Sequence, residues 1–438
     1  MFNLALLIYV SSIIILLLWV GKRQPLISIY PLTLCYMLLE VPFLFISYYN
    51  TNILYQSALS WVNDLESTYI IHLSLRAIFL VCFTFICSIY KPLSAPIKPL
   101  IKIRFSYLMS LFAIVVISYS AFLNQVGGLQ LILQNMSEKT DIIRGSGITR
   151  LFFVYSSLLL ASISACYYAQ SNQSLIKKIF LFFILALVFL MLASYGERKN
   201  AVVFILIFLF CWHIWVKELT IFSYKFILGA LMLIGFSALA PPLRESGAAI
   251  KYALEPTMLL YDAIPHLGEL FRRFSDIDIS IFILNYFNEP TQYFYFSTLP
   301  NFFYGVIPSF LYPGKPPLDE AVFIYNLANG VDPGVDAPFS DFIPVGWPVS
   351  RYTSGLVHLG IFGVFIFSII TSYLLIMLNN FSFKNNSPFI YPLYLTVVIT
   401  GAGISNAYIF NFIISTVVIF LLFIAFRALN SFPRIKLR

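Results

Sequence analysis

Residues 179–216, IFLFFILALVFLMLASYGERKNAVVFILIFLFCWHIWV, contain two long apolar runs separated by one short polar gap. The hydrocarbon core of a bilayer is about 30 Å thick and takes roughly 20 helical residues to cross. Each run, with its flanking residues, approaches that length, so the pair predicts a helical hairpin that crosses a membrane twice. The gap YGERKN, Tyr195 to Asn200, then becomes a tight turn at one membrane face.

The same apolar pattern recurs along the whole chain of 438 residues. Hydrophobic residues make up 60% of it and charged residues 11%, with a mean hydropathy of +0.87, which is incompatible with a water-exposed surface. The sequence lacks the short alternating strands of a membrane barrel. We predict an all-α polytopic integral membrane protein with eleven, or twelve, transmembrane helices. The eleven predicted spans are approximately 4–20, 26–49, 70–90, 105–123, 151–170, 178–194, 200–216, 225–240, 355–378, 388–406 and 408–426.

These spans divide the chain into three regions. Residues 1–240 carry the first eight helices of the bundle, residues 241–354 form one large loop, and residues 355–438 carry the last three helices and a basic tail. This arrangement, with eight predicted helices before the loop and three after it, counts against a transporter built from inverted repeats, because corresponding helices would then appear in both halves.

The basic residues predict the orientation. Fifteen of the 27 Lys and Arg residues lie in loops that share one face if the N-terminus is outside the cytoplasm, and Glu218 is the only acid among them. Because Lys and Arg accumulate in cytoplasmic loops, this face is predicted to be cytoplasmic. Orientation thus explains much of the net charge of +8, and we predict no nucleic-acid partner. The five cysteines fall inside predicted spans, so no disulfide or metal framework is expected.

The large loop 241–354 lies on the opposite, non-cytoplasmic face in this orientation. It holds 12 of the 19 acidic residues, and its apolar stretches, such as DISIFILNYF, are interrupted by polar residues and prolines. Stretches of that length are too short to span a bilayer. We therefore predict that they form short interfacial or re-entrant helices over the mouth of the bundle.

Basic residues also occur on the non-cytoplasmic face, where topology disfavours them, in RGSGITR, GERK, LFRRFSDID, YPGKPP and VSRY. Arginine offers permanently charged, bidentate donors, so several such groups at a membrane mouth suit a lipid-linked pyrophosphate. The alternative is a scatter of charges neutralised by the carboxylates of the loop, with YGERKN an interfacial turn whose basic side chains reach the lipid headgroups. The candidate pyrophosphate ligands are Arg198, Arg272, Arg150, Lys315, Arg144, Arg273 and Arg351.

A transfer reaction also needs a group that takes the proton from the attacking hydroxyl. The candidates on the same face are Asp278, Asp276, Glu197 and His358. Asp276-x-Asp278 also matches the minimal pattern by which sugar-nucleotide transferases hold a divalent metal, but two acids at this spacing arise easily in so acidic a loop. The sequence contains no P-loop, nucleophile elbow or HExxH motif. We predict neither a metal nor a cofactor.

Several motifs resemble a known family. The segment FYGVIPSFLYPGKPP, residues 303–317, is similar to the pattern F-x-x-x-P-S-x-L-x-P-G-R/K-P, from which it departs by one additional residue between Phe303 and Pro308. Gly196-Glu197-Arg198 joins two consecutive spans, Arg272 is followed by Asp278 and an apolar stretch, and the loop ends in the Gly-containing re-entry YTSGLVHLGIFG. In these features residues 140–375 resemble the O-antigen polymerases, the Wzy-type oligosaccharide repeat-unit polymerases, and within them the branch of the enterobacterial common antigen polymerase.

The resemblance implies a metal-independent membrane glycosyltransferase with a GT-C-like fold. It would be a multi-pass protein of the bacterial inner membrane with its active site facing the periplasm. It would polymerise undecaprenyl-pyrophosphate-linked repeat units into O-antigen or a related surface polysaccharide, a step of lipopolysaccharide biosynthesis. Donor and acceptor would both be lipid-linked, and the further partners implied are membrane lipids and a chain-length regulator protein. Preorganised arginines would stabilise the pyrophosphate leaving group in place of a metal.

Three other functions remain open from the sequence. The protein could be an O-antigen ligase, which transfers finished polymer to the lipid A core. It could be a polysaccharide flippase or other transporter that forms no glycosidic bond. It could also be a non-catalytic assembly or sensory protein that uses the loop as a binding platform.

Overall fold

The computed structural model describes residues 1–21, 28–93, 101–134, 147–170, 174–194, 198–217, 275–305, 307, 311–347, 349–400 and 405–431, with scattered residues between 231 and 263. Throughout these ranges the regular structure is helical and no strand is formed. The helices are α1 (Phe2–Gly21), α2 (Ile29–Leu39), α3 (Val41–Tyr49), α4 (Gln56–Leu59), α5 (Leu65–Tyr90), α6 (Phe105–Gln125), α7 (Leu129–Gln134), α8 (Gly147–Tyr168), α9 (Leu175–Ser194), α10 (Arg198–Trp215), α11 (Ile277–Tyr286), α12 (Asn301–Tyr304), α13 (Glu320–Ala328), α14 (Ser354–Asn385), α15 (Tyr391–Thr400) and α16 (Asn406–Ser431).

The predicted polytopic helical architecture is confirmed. Within the described residues, eight segments are long and apolar enough to cross a membrane, with α2 and α3 counted as one segment. Two further predicted spans are shorter helices: α10 over 200–216 and α15 over part of 388–406. The predicted span 225–240 falls largely outside the described residues. The total of eleven or twelve spans stays a prediction.

The predicted span 26–49 is interrupted at Glu40, where α2 ends and α3 begins. Pro42 stands in the first turn of α3. Proline has no backbone N–H and its ring crowds the carbonyl four residues earlier, so a continuous helix is disfavoured there. The interruption leaves a carboxylate, fully buried, in the middle of an apolar segment.

Helix α14 is kinked close to its start. Leu359 and Gly360 leave helical geometry, and Gly360 adopts a positive φ of 59°, which glycine tolerates and other residues resist. On either side of the kink, Gly355 and Gly363 approach each other so closely that a Cβ on either would collide with the backbone of the other. The short piece before the kink begins at Ser354, lies within the segment YTSGLVHLGIFG and carries His358.

The chain divides into two compact units, each described by itself. Unit 1 comprises Met1–Ser94, Phe271–Phe381 and Val397–Phe412. In it α1 packs on α2 and α5, and α11 packs on α4 and α5. The described part of the predicted large loop, from residue 275 onward, thus lies among the first helices of the chain.

Two contacts join loops of unit 1 that are far apart in the sequence. Before α5, the Trp61 indole N–H donates to the Ala328 carbonyl at 3.2 Å, which joins the segment after α3 to the large loop. Beyond the other end of α5, the Leu93 N–H donates to the Asn380 side chain at 2.8 Å. Each contact joins two segments that the order of the predicted spans places on the same membrane face, whichever face is cytoplasmic.

Unit 2 comprises Ala95–Leu270, Ser382–Thr396 and Ile413–Arg438. Its central helix is α8, which packs against α6, α9 and α10. In the apolar 18-residue stretch of α8, 83% of the residues are buried inside the protein, whereas the buried share is 56% or less in the other candidate spans. Small side chains such as Ser157, Ala161 and Ser164 line this helix and are buried, which allows neighbouring helices to approach closely.

Candidate functional site

Two short stripes of polar and aromatic residues build the centre of unit 1. On α5, His72, Arg76 and Phe79 follow one another at spacings of four and three residues and are all buried. On α2, Tyr36 stands one turn before Glu40, which ends the helix. Residues at these spacings lie on the same face of a helix. Each stripe therefore presents its members together to the neighbouring segments.

Arg76 is the most highly connected of these residues. Its guanidinium forms an ion pair with Glu40, donates from Nε to His72 Nε2 at 2.7 Å and donates from Nη2 to the Ser275 carbonyl. It also lies 4.7 Å from the centroid of the Tyr352 ring. Since His72 accepts through Nε2, its imidazole is neutral with the proton on Nδ1. One buried cation thus links three segments that are far apart in sequence.

The turn before α14 presents Arg351 and Tyr352. The Ser354 N–H donates to the Ser350 carbonyl at 2.9 Å, and the Ser350 hydroxyl lies 2.9 Å from that of Thr353. The Tyr352 hydroxyl donates to Glu40 Oε1 at 3.3 Å. Burial raises the pKa of the Tyr352 phenol, which therefore remains a hydrogen-bond donor to the carboxylate.

Arg351 is the centre of a second group, here called the Arg351 cluster. Its guanidinium lies 5.0 Å from the centroid of the Tyr36 ring and 5.7 Å from that of Phe79. The Tyr36 phenol interacts electrostatically with Arg351 and Asp276, and the Tyr408 phenol with Arg351, Asp276 and Asp319. The members of the cluster are Tyr36, Asp276, Asp319, Arg351 and Tyr408.

The cluster combines a buried cation, Arg351, with four side chains that are partly accessible. Arg351 is 3% exposed, whereas the other four members are half-buried. A ligand that reached the acidic and phenolic groups would stand beside a guanidinium already removed from water. In such surroundings the attraction between a cation and an anion is much stronger than in bulk water.

Asp276 and Asp278, both predicted as bases, have different environments. Asp276 directly precedes α11 in a left-handed backbone conformation, with φ of 49°. Such conformations are uncommon outside glycine and collect at functional sites. Asp278 is buried, and its Oδ1 accepts the Tyr55 N–H at 3.0 Å. Asp276 therefore belongs to the Arg351 cluster, while Asp278 anchors the segment before α4.

His358, the remaining described candidate base, pairs with Glu320. The imidazole Nε2 lies 3.7 Å from Glu320 Oε1, and both side chains are buried. Glu320 also accepts from the Thr298 hydroxyl at 3.1 Å. The rings of Phe296 and Phe367 stack on the imidazole, at centroid distances of 5.0 and 5.7 Å. Among the described residues, His358 Nδ1 has no hydrogen-bond partner.

Asp319 links the Glu320–His358 pair to the Arg351 cluster, because it immediately precedes Glu320 in the chain. Burial raises the pKa of the Asp319 carboxyl from its ordinary value of 3.8 to about 6, and the negative charge of Glu320 acts in the same direction. Its Oδ1 caps α13 by accepting the Ala321 N–H at 3.1 Å, which partly opposes the shift. Asp319 can therefore change charge at mildly acidic pH.

The raised pKa of Asp319 gives a test by thermal unfolding in detergent. Well below pH 3.8 the carboxyl is neutral in both the folded and unfolded states; as the pH rises from 3.8 to about 6 the unfolded state loses its proton first, so the folded state loses stability over this range. The Asp319→Asn variant keeps a capping side chain and has no charge to bury. We expect it to melt at a higher temperature than wild type at about pH 8, with a gap that closes toward about pH 4.5.

The control for this measurement is Asp341→Asn, which neutralises an exposed carboxylate on the same long segment. A melting-temperature gap for Asp319→Asn that stayed constant across the pH range would contradict the assignment of a raised pKa.

The remaining predicted site residues lie elsewhere or beyond the described part. Lys315 is half-buried and its Nζ donates to the Ile307 carbonyl at 2.7 Å, and burial lowers its pKa. It therefore ties together the segment that carries the family-like motif. Arg150 is half-buried at the start of α8 in unit 2, and the backbone of Arg198 begins α10 in the same unit. Four predicted site residues lie outside the described residues: Glu197, Arg144, Arg272 and Arg273.

Sequence reasoning missed several members of the site. Glu40, Tyr36, Asp319, Glu320 and Tyr408 carry no recognisable motif. For Glu40 the charge itself was a signal, because a glutamate inside an apolar span is rare and usually functional. Among the described residues, no group of three or more His, Cys, Asp or Glu side chains is placed to hold a metal ion.

Fold and site define the chain as a multi-pass helical membrane protein with buried ionisable residues. Comparison with profiles of known protein families, with curated proteins and with solved structures finds no match for this chain. A function must therefore be argued from the chemistry of its own residues.

Proposed function

We propose that this protein is a membrane glycosyltransferase that polymerises undecaprenyl-pyrophosphate-linked oligosaccharide repeat units at the periplasmic face of the bacterial inner membrane. The observation that carries the proposal is the Arg351 cluster. It joins a buried guanidinium to acidic and phenolic groups at the start of a predicted span. The resemblance of residues 303–317 to the motif of the O-antigen polymerases supports the choice of substrate.

Each member of the cluster has a role in this reaction. Arg351 would bind the pyrophosphate of the donor and stabilise the negative charge that grows as the bond to the sugar breaks. The phenols of Tyr36 and Tyr408 would donate hydrogen bonds to phosphate or sugar oxygens, and their rings offer flat apolar faces to the glycan. Asp276 would orient a sugar hydroxyl. No metal ion is required in this scheme.

The Glu320–His358 pair supplies the base. The hydroxyl oxygen of the acceptor sugar attacks the anomeric carbon of the donor. Undecaprenyl pyrophosphate leaves with the bonding electron pair, and the hydroxyl proton passes to His358 Nδ1. Glu320, on the Nε2 side, orients the ring and stabilises the imidazolium that forms. We favour His358 over Asp278 because the Asp278 carboxylate already accepts the Tyr55 N–H.

The other predicted phosphate ligands would bind the second pyrophosphate. Extended lipid-linked substrates present a donor and an acceptor pyrophosphate, so a polymerase needs more than one cationic group. Lys315 is the described candidate for such a contact in unit 1, and Arg198, Arg272, Arg150, Arg144 and Arg273 stay predictions from the sequence.

Deletion of the gene in its native host tests the proposal. Loss of a polymerase is expected to leave single repeat units attached to the lipid A core, because ligation continues without chain growth. Restoring wild-type protein from a plasmid should restore long polymer. Cells whose core carries no repeat unit at all would indicate a ligase or a flippase instead, and unchanged polymer would contradict all three functions.

A transporter is the second candidate, and the buried Glu40, Arg76 and His72 favour it. Ionisable residues within membrane spans often mark paths for ions or polar substrates. A flippase would move lipid-linked repeat units across proteoliposomes without forming a glycosidic bond. Translocation by purified protein, with the repeat unit recovered unchanged, would support this function over the polymerase.

A further inference from the structure

We propose that the buried Glu40–Arg76 pair positions the Arg351 cluster. The pair holds the backbone of Ser275 through Arg76 and the side chain of Tyr352 through Glu40. Each of these residues adjoins a member of the cluster, since Ser275 precedes Asp276 and Tyr352 follows Arg351. The catalytic part of this inference rests on the proposed transferase function, and its structural part does not.

The Glu40–Arg76 pair contacts segments of unit 1 that are far apart in the sequence. Arg76 comes from α5 and Glu40 from the junction of α2 and α3, both within apolar spans. Ser275 lies two residues before α11, and Tyr352 lies in the turn before α14. A single ion pair therefore contacts two points of the large loop, Ser275 within it and Tyr352 near its end, and holds both relative to the two apolar segments that carry Glu40 and Arg76.

A purely stabilising role explains the pair less well. Glu40 and Arg76 are both 0% exposed, and removing two charges from water costs about as much as their attraction returns. Apolar residues of similar volume often serve folding equally well or better. The donation from Arg76 to a backbone carbonyl is a further contact that an apolar pair could not make. It selects one conformation for the residue beside Asp276.

The double variant Glu40→Leu/Arg76→Met separates positioning from stability. It removes both charges together, so no unpaired charge stays buried and the protein is expected to melt within a few degrees of wild type in detergent. The transfer rate is expected to fall about 100-fold, because misplacement of reacting groups by about 1 Å has an effect of that size. The single variant Arg76→Met should melt lower than the double variant, since it leaves Glu40 buried alone.

Hydrogen exchange measures the positioning without reference to catalysis. In the double variant, the Ser280 N–H, bonded to the Asp276 carbonyl at 2.9 Å, and the Ser354 N–H, bonded to the Ser350 carbonyl, should both exchange faster than in wild type. The Trp347 N–H, bonded to the Ala321 carbonyl in the same unit, should be unchanged. If wild-type protein shows no transferase activity, the function fails, and the exchange rates still decide the positioning.

The chain offers a matched control between the same two helices. The Tyr30 hydroxyl of α2 donates to the Thr84 hydroxyl of α5 at 3.0 Å, and neither residue touches Ser275 or Tyr352. Tyr30→Phe/Thr84→Val should therefore leave the rate and the Ser280 and Ser354 exchange unchanged.

Should the Glu40→Leu/Arg76→Met protein not fold, Tyr352→Phe removes one link, and faster exchange at Ser354 alone is expected. Wild-type exchange at these amides in a folded Glu40→Leu/Arg76→Met or Tyr352→Phe protein would overturn the proposal.

Discussion

Replacing Arg351 by alanine is expected to slow glycan transfer by roughly 100- to 1,000-fold while the protein still reaches the membrane. Arg351 is buried against the rings of Tyr36 and Phe79 and interacts with two phenols near Asp276. Its guanidinium would stabilise charge that develops on the pyrophosphate, so its loss should lower kcat more than it raises KM. The measurement is the initial rate of polymer formation by purified protein at several donor concentrations.

Two further variants make the Arg351 result specific. Arg351→Lys keeps the positive charge but loses the planar, bidentate donor, so an intermediate rate is expected. Arg427→Ala removes an exposed arginine near the end of α16 and should stay within about twofold of wild type. An Arg351→Ala protein that is correctly folded and forms polymer at more than half the wild-type rate would show that Arg351 does not bind the reacting pyrophosphate.

The second large effect is expected at the Glu320–His358 pair. His358→Gln should lower kcat by about 100- to 10,000-fold with little change in KM, because it removes the group that takes the acceptor proton. Glu320→Gln should have a smaller effect, since the base remains and only its orientation and charge compensation suffer. If Glu320 acts through His358, the double variant should be no slower than His358→Gln alone.

The comparison of the double variant with the two single variants decides whether Glu320 acts through His358. Glu289→Gln, an exposed acid on the same long segment, serves as the control and should leave the rate unchanged. Effects of Glu320→Gln and His358→Gln that multiplied in the double variant would mean that the two residues act independently. A fully active His358→Gln enzyme would return the role of base to Asp276 or Asp278.

Most of the helical framework was predictable from hydropathy, because an apolar run of about 20 residues has few alternatives to a membrane span. The interruption of the predicted span 26–49 was also encoded locally, since Pro42 disfavours a continuous helix. The kink at Gly360 depends on tertiary packing as well, because Gly355 and Gly363 must meet across it. No periodic pattern within a single segment of the sequence predicts such a contact.

The site was only partly predictable for the same reason. Arg351 was recognised because basic residues are unusual on the non-cytoplasmic face. Asp276 was recognised through the Asp276-x-Asp278 pattern, and His358 because a histidine near that face can serve as a base. The partners Tyr36 and Tyr408 are separated by hundreds of residues and resemble ordinary aromatic residues of membrane helices. The pairing of Glu40 with Arg76 requires knowing which faces of α2 and α5 meet, and hydropathy alone does not supply that information.

The most direct measurement of the proposed function uses purified wild-type protein and a synthetic undecaprenyl-pyrophosphate-linked repeat unit in the presence of EDTA. We expect a ladder of products that grows by one repeat unit per step, without any added metal. A well-folded sample that receives the cognate repeat unit and forms no ladder would contradict polymerase activity. A ladder that appeared only when EDTA was omitted would contradict the metal-independent mechanism built on Arg351.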